Sequence, residues 1–111
     1  MLRSNTLKRK LAEGAEVFGL FCSIPAPALV EMIGCSGYDF VILDSEHTLV
    51  DPQQLENLIR AAEASGLTPI VRVPEAHPGA VLRVLDAGAM GVVVPHVRGR
   101  ADVDRVIQAA R

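Results

Sequence analysis

Short apolar runs alternate along the chain with stretches in which apolar residues recur at helical spacing. The apolar runs predict four strands, at residues 17–24, 40–44, 68–73 and 91–95. Runs of this kind, rich in β-branched residues, are typical of parallel strands that are buried on both faces of a sheet. A short helix, capped by Asn5 and ended by Gly14, is predicted to precede the first strand.

Each predicted strand is followed by a predicted helix, and prolines and glycines mark the helix ends. The four helices begin at Pro27, near Pro52, near Pro78 and at Ala101, and they end at Gly34 or Gly37, at Gly66, at Gly88 and at Arg111. Proline suits the first turn of a helix, and glycine suits the position after the last turn. The order is therefore four βα units, whose short connections favour right-handed parallel crossovers.

The spacing of the strands, about 25 residues per unit, predicts the α/β class and a (β/α)8 TIM barrel. Such a barrel usually needs about 250 residues. The 111 residues of the chain are therefore expected to form its first four βα units, residues 1–111 being the N-terminal half of a single barrel domain. A complete doubly wound domain is the alternative fold, but the first strand is not followed by a glycine-rich phosphate loop.

Charge and hydropathy narrow the choice of partners and compartment. The formal net charge of −2 provides no basic surface for a nucleic acid or an anionic membrane. No apolar run approaches the roughly 18 residues of a membrane-spanning helix. Glu13 and Glu16 argue against a signal peptide, because they directly precede the first apolar run. Cys22 and Cys35 are predicted to be buried thiols, and we expect a cytoplasmic protein.

The tetrad Asp44-Ser45-Glu46-His47 follows the second apolar run directly, and α/β barrels keep their active sites at the carboxyl ends of strands. His47 is a candidate general base, because imidazole titrates near working pH and neighbouring carboxylates raise its basicity. The alternative is a loop histidine that caps the next helix. Asp44 and Glu46 could orient a divalent metal ion or its waters, but two carboxylates do not complete a metal site.

Arg72 lies at the end of the third apolar run. It shares strand parity with Thr68 and Ile70, so the three side chains are expected on the same side of the sheet. If that side is the barrel interior, the guanidinium lies at the top of the lumen and can hold a carboxylate or a developing oxyanion. The alternative is a structural ion pair with Asp44 or Glu46, and the two roles can coexist.

Other charged or imidazole side chains near strand ends carry weaker indications. His96 follows Pro95 at the exit of the fourth strand and is a candidate substrate contact. His77 is predicted to be a solvated loop residue. Arg98 and Arg100 are predicted to form an exposed charged turn rather than an anion site.

Several motifs, in order along the chain, are similar to those of one enzyme family. They are Asn5-x-Leu7-Lys8 with Leu11 and Gly14, Asp44-Ser45-Glu46-His47, Val71-Arg72-Val73-Pro74, Leu85-Asp86-Ala87-Gly88-Ala89 and Val94-Pro95. Together they resemble the HpcH/HpaI family of class II pyruvate aldolases over essentially the whole chain. The resemblance implies a (β/α)8 barrel and an enzyme that reversibly cleaves a 4-hydroxy-2-oxo acid into pyruvate and an aldehyde.

The resemblance also implies roles for individual residues. His47 matches the base of the family, Arg72 its pyruvate-binding and enolate-stabilising arginine, and Asp86 the aspartate paired with the histidine. The implied cofactor is Mg²⁺, Mn²⁺ or Co²⁺, whose carboxylate ligands come from later strands, so no direct metal ligand is expected within this chain. Asp86 should lie about 15 Å from the carboxyl ends of the strands. It is therefore either structural or paired with His47 across the interface of a homo-oligomer.

Two other functions stay open at this point. One is a catalytically inactive half-barrel that associates with another chain, because open sheet edges and an apolar lumen face promote association. The other is a related barrel lyase that acts on acyl-CoA or phosphoenolpyruvate-like substrates. A Schiff-base mechanism is not favoured, since none of the four predicted strands ends in a lysine.

Overall fold

Four parallel strands form one sheet in the order in which they occur along the chain. The strands are β1 (Gly19–Cys22), β2 (Phe40–Asp44), β3 (Thr68–Arg72) and β4 (Gly91–Val93). The computed structural model describes residues 4–46 and 50–110. Its helices are α1 (Thr6–Ala12), α2 (Pro27–Cys35), α3 (Pro52–Ala64), α4 (Pro78–Asp86) and α5 (Arg100–Ala109). Within those residues, none of the helices has the length and apolar character needed to cross a membrane.

The strand order decides between the two predicted folds. A doubly wound sheet reverses its strand order at a switch point. Here β1, β2, β3 and β4 follow one another without a reversal, and each pair is parallel. The predicted alternation of strands and helices is confirmed, although β1 and β4 are shorter than the apolar runs that contain them.

Alternate residues along the strands separate a helix side of the sheet from a lumen side. The helix side is largely buried, because helices cover it, although Leu20 in β1 is 39% exposed. Its core residues include Val41, Leu43, Val71 and Val73, with Val30, Leu58, Ile59 and Val81 from the helices. On the lumen side Phe40, Ile42 and Ile70 are only half-buried. Within the described residues, the expectation that both faces are buried therefore holds for most of the helix side and not for the lumen side.

Helix α1 is held against the amino ends of the strands by polar contacts. The side chain of Asn5 accepts a hydrogen bond from the backbone N–H of Lys8 at 3.0 Å, which confirms the predicted cap. Its amide nitrogen donates to the carbonyl oxygen of Met90 at 3.0 Å, just before β4. Lys10 Nζ lies 2.5 Å from Asp39 Oδ1, and this hydrogen bond is the largest cause of the lowered pKa of Asp39.

The two cysteines differ in burial. Cys22 is buried at the end of β1, as predicted. The prediction for Cys35 is wrong, because its side chain is exposed at the end of α2. This helix buries Val30 and Ile33, whereas Met32 on another face is also apolar but 65% exposed. Apolar surroundings in the sequence therefore did not identify which face of α2 is packed.

Candidate active site

Arg72 and Asp44 form a two-pronged ion pair at the carboxyl ends of β3 and β2. The two residues are direct partners in the register of the sheet. Arg72 Nη2 lies 2.5 Å from Asp44 Oδ2, and Arg72 Nε lies 3.2 Å from Asp44 Oδ1. Both belong to the same strand parity as the lumen residue Ile70, so the pair lies at the top of the lumen side. The predicted position of Arg72 and its predicted ion pairs with Asp44 and Glu46 are thus present together.

The Asp44 carboxylate is enclosed by donors. Its side chain is 4% exposed, and Oδ1 also accepts a hydrogen bond from the backbone N–H of Glu46 at 2.9 Å. The hydrogen bond to Asp44 raises the pKa of Arg72 above its ordinary value, although desolvation acts in the opposite direction. A permanently charged guanidinium in a fixed plane is well suited to hold a carboxylate or an oxyanion.

Phe21 supports the guanidinium from β1. The centre of the Arg72 guanidinium lies 4.8 Å from the centroid of the Phe21 ring, within the range of a cation–π interaction. Phe21 pairs with Ile42 in the sheet and therefore belongs to the lumen face. Sequence reasoning missed this residue. Its strand parity could have placed it on the lumen face, but its stacking on Arg72 depends on the register of three strands.

Glu46 links Arg72 to His96. Glu46 Oε1 lies 3.4 Å from Arg72 Nε, and Glu46 Oε2 lies 2.8 Å from His96 Nε2. The Glu46 side chain is 13% exposed, whereas that of His96 is 71% exposed. The structure therefore brings the predicted residues Asp44, Glu46, Arg72 and His96 to one place, across the exits of β2, β3 and β4.

Ser45 fixes the relative position of two strand exits. Its backbone N–H donates to the carbonyl oxygen of Arg72 at 3.0 Å, and its hydroxyl donates to the same oxygen at 2.5 Å. Both bonds tie the chain just after β2 to the last residue of β3. Ser45 was part of the tetrad identified from the sequence but was assigned no role, because its contact is with the backbone of another strand.

Asp86 is the last residue of α4, on the helix side of the sheet. It lines a groove of about 390 Å³ between α3 and α4, together with Glu56 and Arg83. Ser45 and Val50 line the same groove. The groove therefore extends from Asp86 to the chain just after β2. His47 is outside the described residues, so its position and its pairing with Asp86 stay predictions.

The described residues do not by themselves form a metal site. In 4–46 and 50–110 there is no group of three or more histidine, cysteine, aspartate or glutamate side chains arranged to hold a metal ion. The oxygens of Asp44 and Glu46 contact Arg72 and His96. These two carboxylates are therefore placed to position a cationic side chain rather than to serve as a complete set of hard ligands.

His77, Arg98 and Arg100 take no part in this site. His77 is exposed and caps α4, where its Nδ1 accepts a hydrogen bond from the backbone N–H of Gly79 at 3.0 Å. Arg98 and Arg100 are exposed before and at the start of α5, as the sequence predicts. The backbone N–H of Arg98 donates to the carboxylate of Asp102 at 2.9 Å.

Comparison with protein families gives one match that covers most of the chain. The model of the family described as HpcH/HpaI aldolase/citrate lyase matches residues 17–111. A hydroxypyruvate/pyruvate aldolase of Paraburkholderia phytofirmans is 35% identical over 107 residues, which are 95% of this chain and 41% of that protein. A 5-keto-4-deoxy-D-glucarate aldolase of Salmonella paratyphi A is 30% identical over 96% of this chain and 42% of its own length. The chain spans about two-fifths of the length of these relatives.

Solved structures show the same fold. The crystal structure of the citrate synthase SbnG is 46% identical in sequence and superposes with a TM-score of 0.91, covering 95% of this chain and 43% of SbnG. An HpcH/HpaI aldolase/citrate lyase family protein from Burkholderia cenocepacia J2315 is 33% identical, with a TM-score of 0.88 over 97% of this chain and 43% of that protein. The predicted (β/α)8 barrel class is confirmed.

Proposed function

Because the chain belongs to the HpcH/HpaI aldolase/citrate lyase family, we propose that a protein of the relatives' length carrying it cleaves 4-hydroxy-2-oxo acids into pyruvate and an aldehyde. The resemblance inferred from the sequence motifs is confirmed at the level of the family. Its named relatives include pyruvate and sugar-acid aldolases, which supports an aldolase reaction. The choice of 4-hydroxy-2-oxo acids as substrates is our proposal.

The observation that carries this proposal is the guanidinium of Arg72 at the carboxyl ends of the strands. It is held from one side by Asp44 and supported by the ring of Phe21. In the proposed reaction Arg72 binds the 2-oxo acid and stabilises the negative charge that develops on its oxygen as the carbon–carbon bond breaks. Donors that are already oriented toward the developing charge stabilise the transition state without further reorganisation.

His47 is the proposed general base. It would take the proton of the substrate's C4 hydroxyl while the C3–C4 bond breaks, so that C4 leaves as the aldehyde carbonyl. The electron pair of that bond passes to the enolate, whose charge Arg72 stabilises, and protonation at C3 then gives pyruvate. Loss of a general base usually lowers the rate by about 10²–10⁴, and we expect this of His47→Ala.

A divalent cation, Mg²⁺, Mn²⁺ or Co²⁺, is part of the proposal. When bound, such an ion supplies Lewis-acid polarisation of the substrate ketone. The described residues do not fit as its ligand set, and Asp44 and Glu46 are at most neighbours of the ion. Their own role is to hold the guanidinium of Arg72 in place.

A homo-oligomer would reconcile the position of Asp86 with a pairing to His47. Asp86 lies on the helix side, where a second subunit could approach. If the pair forms between subunits, mixing inactive His47→Ala and Asp86→Ala proteins should restore part of the activity, because some mixed interfaces contain both intact residues. If mixing restores no activity under conditions in which subunits exchange, the pair does not form between subunits.

A citrate synthase-like reaction is the second candidate, and the 46% identity to SbnG favours it. The identities to the two aldolases named above are lower, at 35% and 30%. In such a reaction the 2-oxo acid would accept a carbon nucleophile from an acyl-CoA, and Arg72 would again hold the 2-oxo acid. This candidate falls within the acyl-CoA alternative that the sequence left open.

One set of assays separates the two candidates. Full-length protein is given 4-hydroxy-2-oxo acids and pyruvate release is followed, and in parallel it is given oxaloacetate with acetyl-CoA and thiol release is followed. Pyruvate release that stops with EDTA and resists borohydride in the presence of pyruvate supports the aldolase. Thiol release without aldol cleavage supports the synthase, and borohydride inactivation would contradict an enolate mechanism that uses no Schiff base.

A further inference from the structure

We infer that His96 is a positioning residue for the 2-oxo acid site: it holds Glu46 in the orientation that fixes the guanidinium of Arg72. The inference deepens the proposed function and rests on it, since it assumes that Arg72 binds the 2-oxo acid. It assigns to His96 an action through Glu46, in place of the direct substrate contact predicted from sequence.

His96 restricts the position of the Glu46 carboxylate. The two carboxylate oxygens of Glu46 face different partners, with Oε2 2.8 Å from His96 Nε2 and Oε1 3.4 Å from Arg72 Nε. A carboxylate is planar, so fixing one oxygen on the imidazole restricts where the other oxygen can lie. Glu46 has the length to swing away from Arg72, and the bond from His96 limits that freedom.

Glu46 in turn contacts the guanidinium of Arg72 at Nε. This nitrogen lies between two carboxylates, 3.2 Å from Asp44 Oδ1 and 3.4 Å from Glu46 Oε1. Arg72 Nη2 lies 2.5 Å from Asp44 Oδ2. Asp44 contacts the guanidinium at both of these nitrogens, and Glu46 adds a second negative charge beside Nε, so the direction of the other N–H groups depends in part on where Glu46 lies.

The backbone of His96 is an independent observation. Its φ is 56°, and among the described residues it is the single non-glycine residue with a positive φ. The left-handed region is unfavourable for residues with a Cβ atom, and histidine is one of the few types enriched there. Such outliers concentrate at functional sites. Here the unusual backbone coincides with the contact between the imidazole and Glu46.

The expected effect is modest, because the His96 side chain is 71% exposed. Ion pairs that are open to solvent usually change an equilibrium by about 1.5- to 5-fold. Loss of the His96 contact should therefore raise the Michaelis constant for the 2-oxo acid by about two- to fivefold. The turnover number should stay within about twofold, since Arg72 keeps its bonds to Asp44.

Two substitutions separate the side-chain contact from the backbone. Asparagine tolerates the left-handed region but is too short to reach Glu46, whereas glutamine carries an amide donor with nearly the reach of the imidazole. His96→Asn should show the full effect, and His96→Gln should return the Michaelis constant to near the parent value. Val97→Ala is the matched control, because Val97 is the next residue, is 45% exposed and takes no part in the site.

The test measures 2-oxo acid kinetics of full-length His96→Asn and His96→Gln, alone and in a Glu46→Ala background. We expect the His96→Asn effect to disappear when Glu46 is absent, since the two residues would act through one contact. An unchanged Michaelis constant in His96→Asn, or an equal effect with and without Glu46, overturns the inference. So does a failure of glutamine to rescue.

A second readout does not depend on turnover. The ¹H–¹⁵N signal of the Arg72 Nε–H group, identified by its loss in Arg72→Lys, should shift in His96→Asn and return toward the parent position in His96→Gln. If these shifts occur in a protein that turns over no 2-oxo acid, the proposed function has failed and the positioning role stands. If turnover is normal and the signal does not move, the positioning role is wrong.

Discussion

Replacing Asp44 by asparagine is the perturbation that tests most directly how the site is held together. The carboxylate presents Oδ2 to Arg72 Nη2 at 2.5 Å, and it presents Oδ1 both to Arg72 Nε at 3.2 Å and to the backbone N–H of Glu46 at 2.9 Å. Asparagine has the same shape but only one oxygen. In either orientation of the amide, an NH₂ group faces at least one N–H donor.

The less damaging orientation keeps the oxygen at the Oδ1 position and sets the amide nitrogen against Arg72 Nη2. The guanidinium then loses its shortest contact and the negative charge that holds it. Loss of a hydrogen bond to a charged group usually changes an equilibrium by about 10- to 150-fold. Because Arg72 keeps one bond, we expect Asp44→Asn to lower kcat/KM for the 2-oxo acid by about 10- to 100-fold.

The assay is pyruvate release by the full-length protein, with circular dichroism to show that the fold is retained. Asp39→Asn is the matched control: it also removes a carboxylate from an ion pair, but at the amino end of β2, where Asp39 contacts Lys10. It should leave kcat/KM within about twofold. If Asp44→Asn is also within twofold of the parent, the orientation of Arg72 does not depend on Asp44 and the reasoning is refuted.

Three further predictions concern stability and the chain by itself. The hydrogen bond from Lys10 lowers the pKa of Asp39 below 3.8, so the stabilisation by the Asp39 carboxylate is present above that pH and is lost as the pH falls through the folded-state pKa. Asp39→Asn should therefore lower the urea midpoint at about pH 7. An equal lowering of the midpoint at about pH 2 would contradict this. Gly34→Ala places a Cβ against the Oγ and Cβ of Ser65, so the free energy of unfolding measured in urea should fall by about 1–2 kcal/mol. Gly99→Ala, with no atom within 4 Å of the added Cβ, should change it by less than about 0.5 kcal/mol. The isolated 111-residue chain should release no pyruvate, and light scattering should show that it self-associates, because the lumen face is half-buried and β1 and β4 form the edges of the described sheet. A soluble monomer with activity would contradict both expectations.

The order of strands and helices could be predicted because prolines and glycines mark nearly every boundary. Pro27, Pro52 and Pro78 all open helices, as expected. Strand ends were less certain, since apolar residues continue past the last ladder bond: β4 ends at Val93 although the apolar run extends to Pro95. A proline has no N–H for the ladder, but its apolar side chain still extends the pattern.

Strand parity alone predicted part of the site, and the contacts between neighbouring strands could not be predicted. Parity and the position at a strand end place Arg72 at the top of the lumen side. The contacts of Phe21, Ser45 and His96 depend on which residues of neighbouring strands lie side by side, and the sequence does not determine this register. The pairing of Asp44 with Arg72 was one of two alternatives for the same reason.

The central claim is that Arg72, held by Asp44, binds the 2-oxo acid. A crystal structure of the full-length protein with pyruvate and Mg²⁺ tests it most directly. The account predicts a carboxylate or ketone oxygen of pyruvate within about 3 Å of the Arg72 guanidinium, with the Arg72–Asp44 pair retained. Pyruvate bound elsewhere, with Arg72 contacting only Asp44 and Glu46, would show that the arginine is structural and would contradict the account.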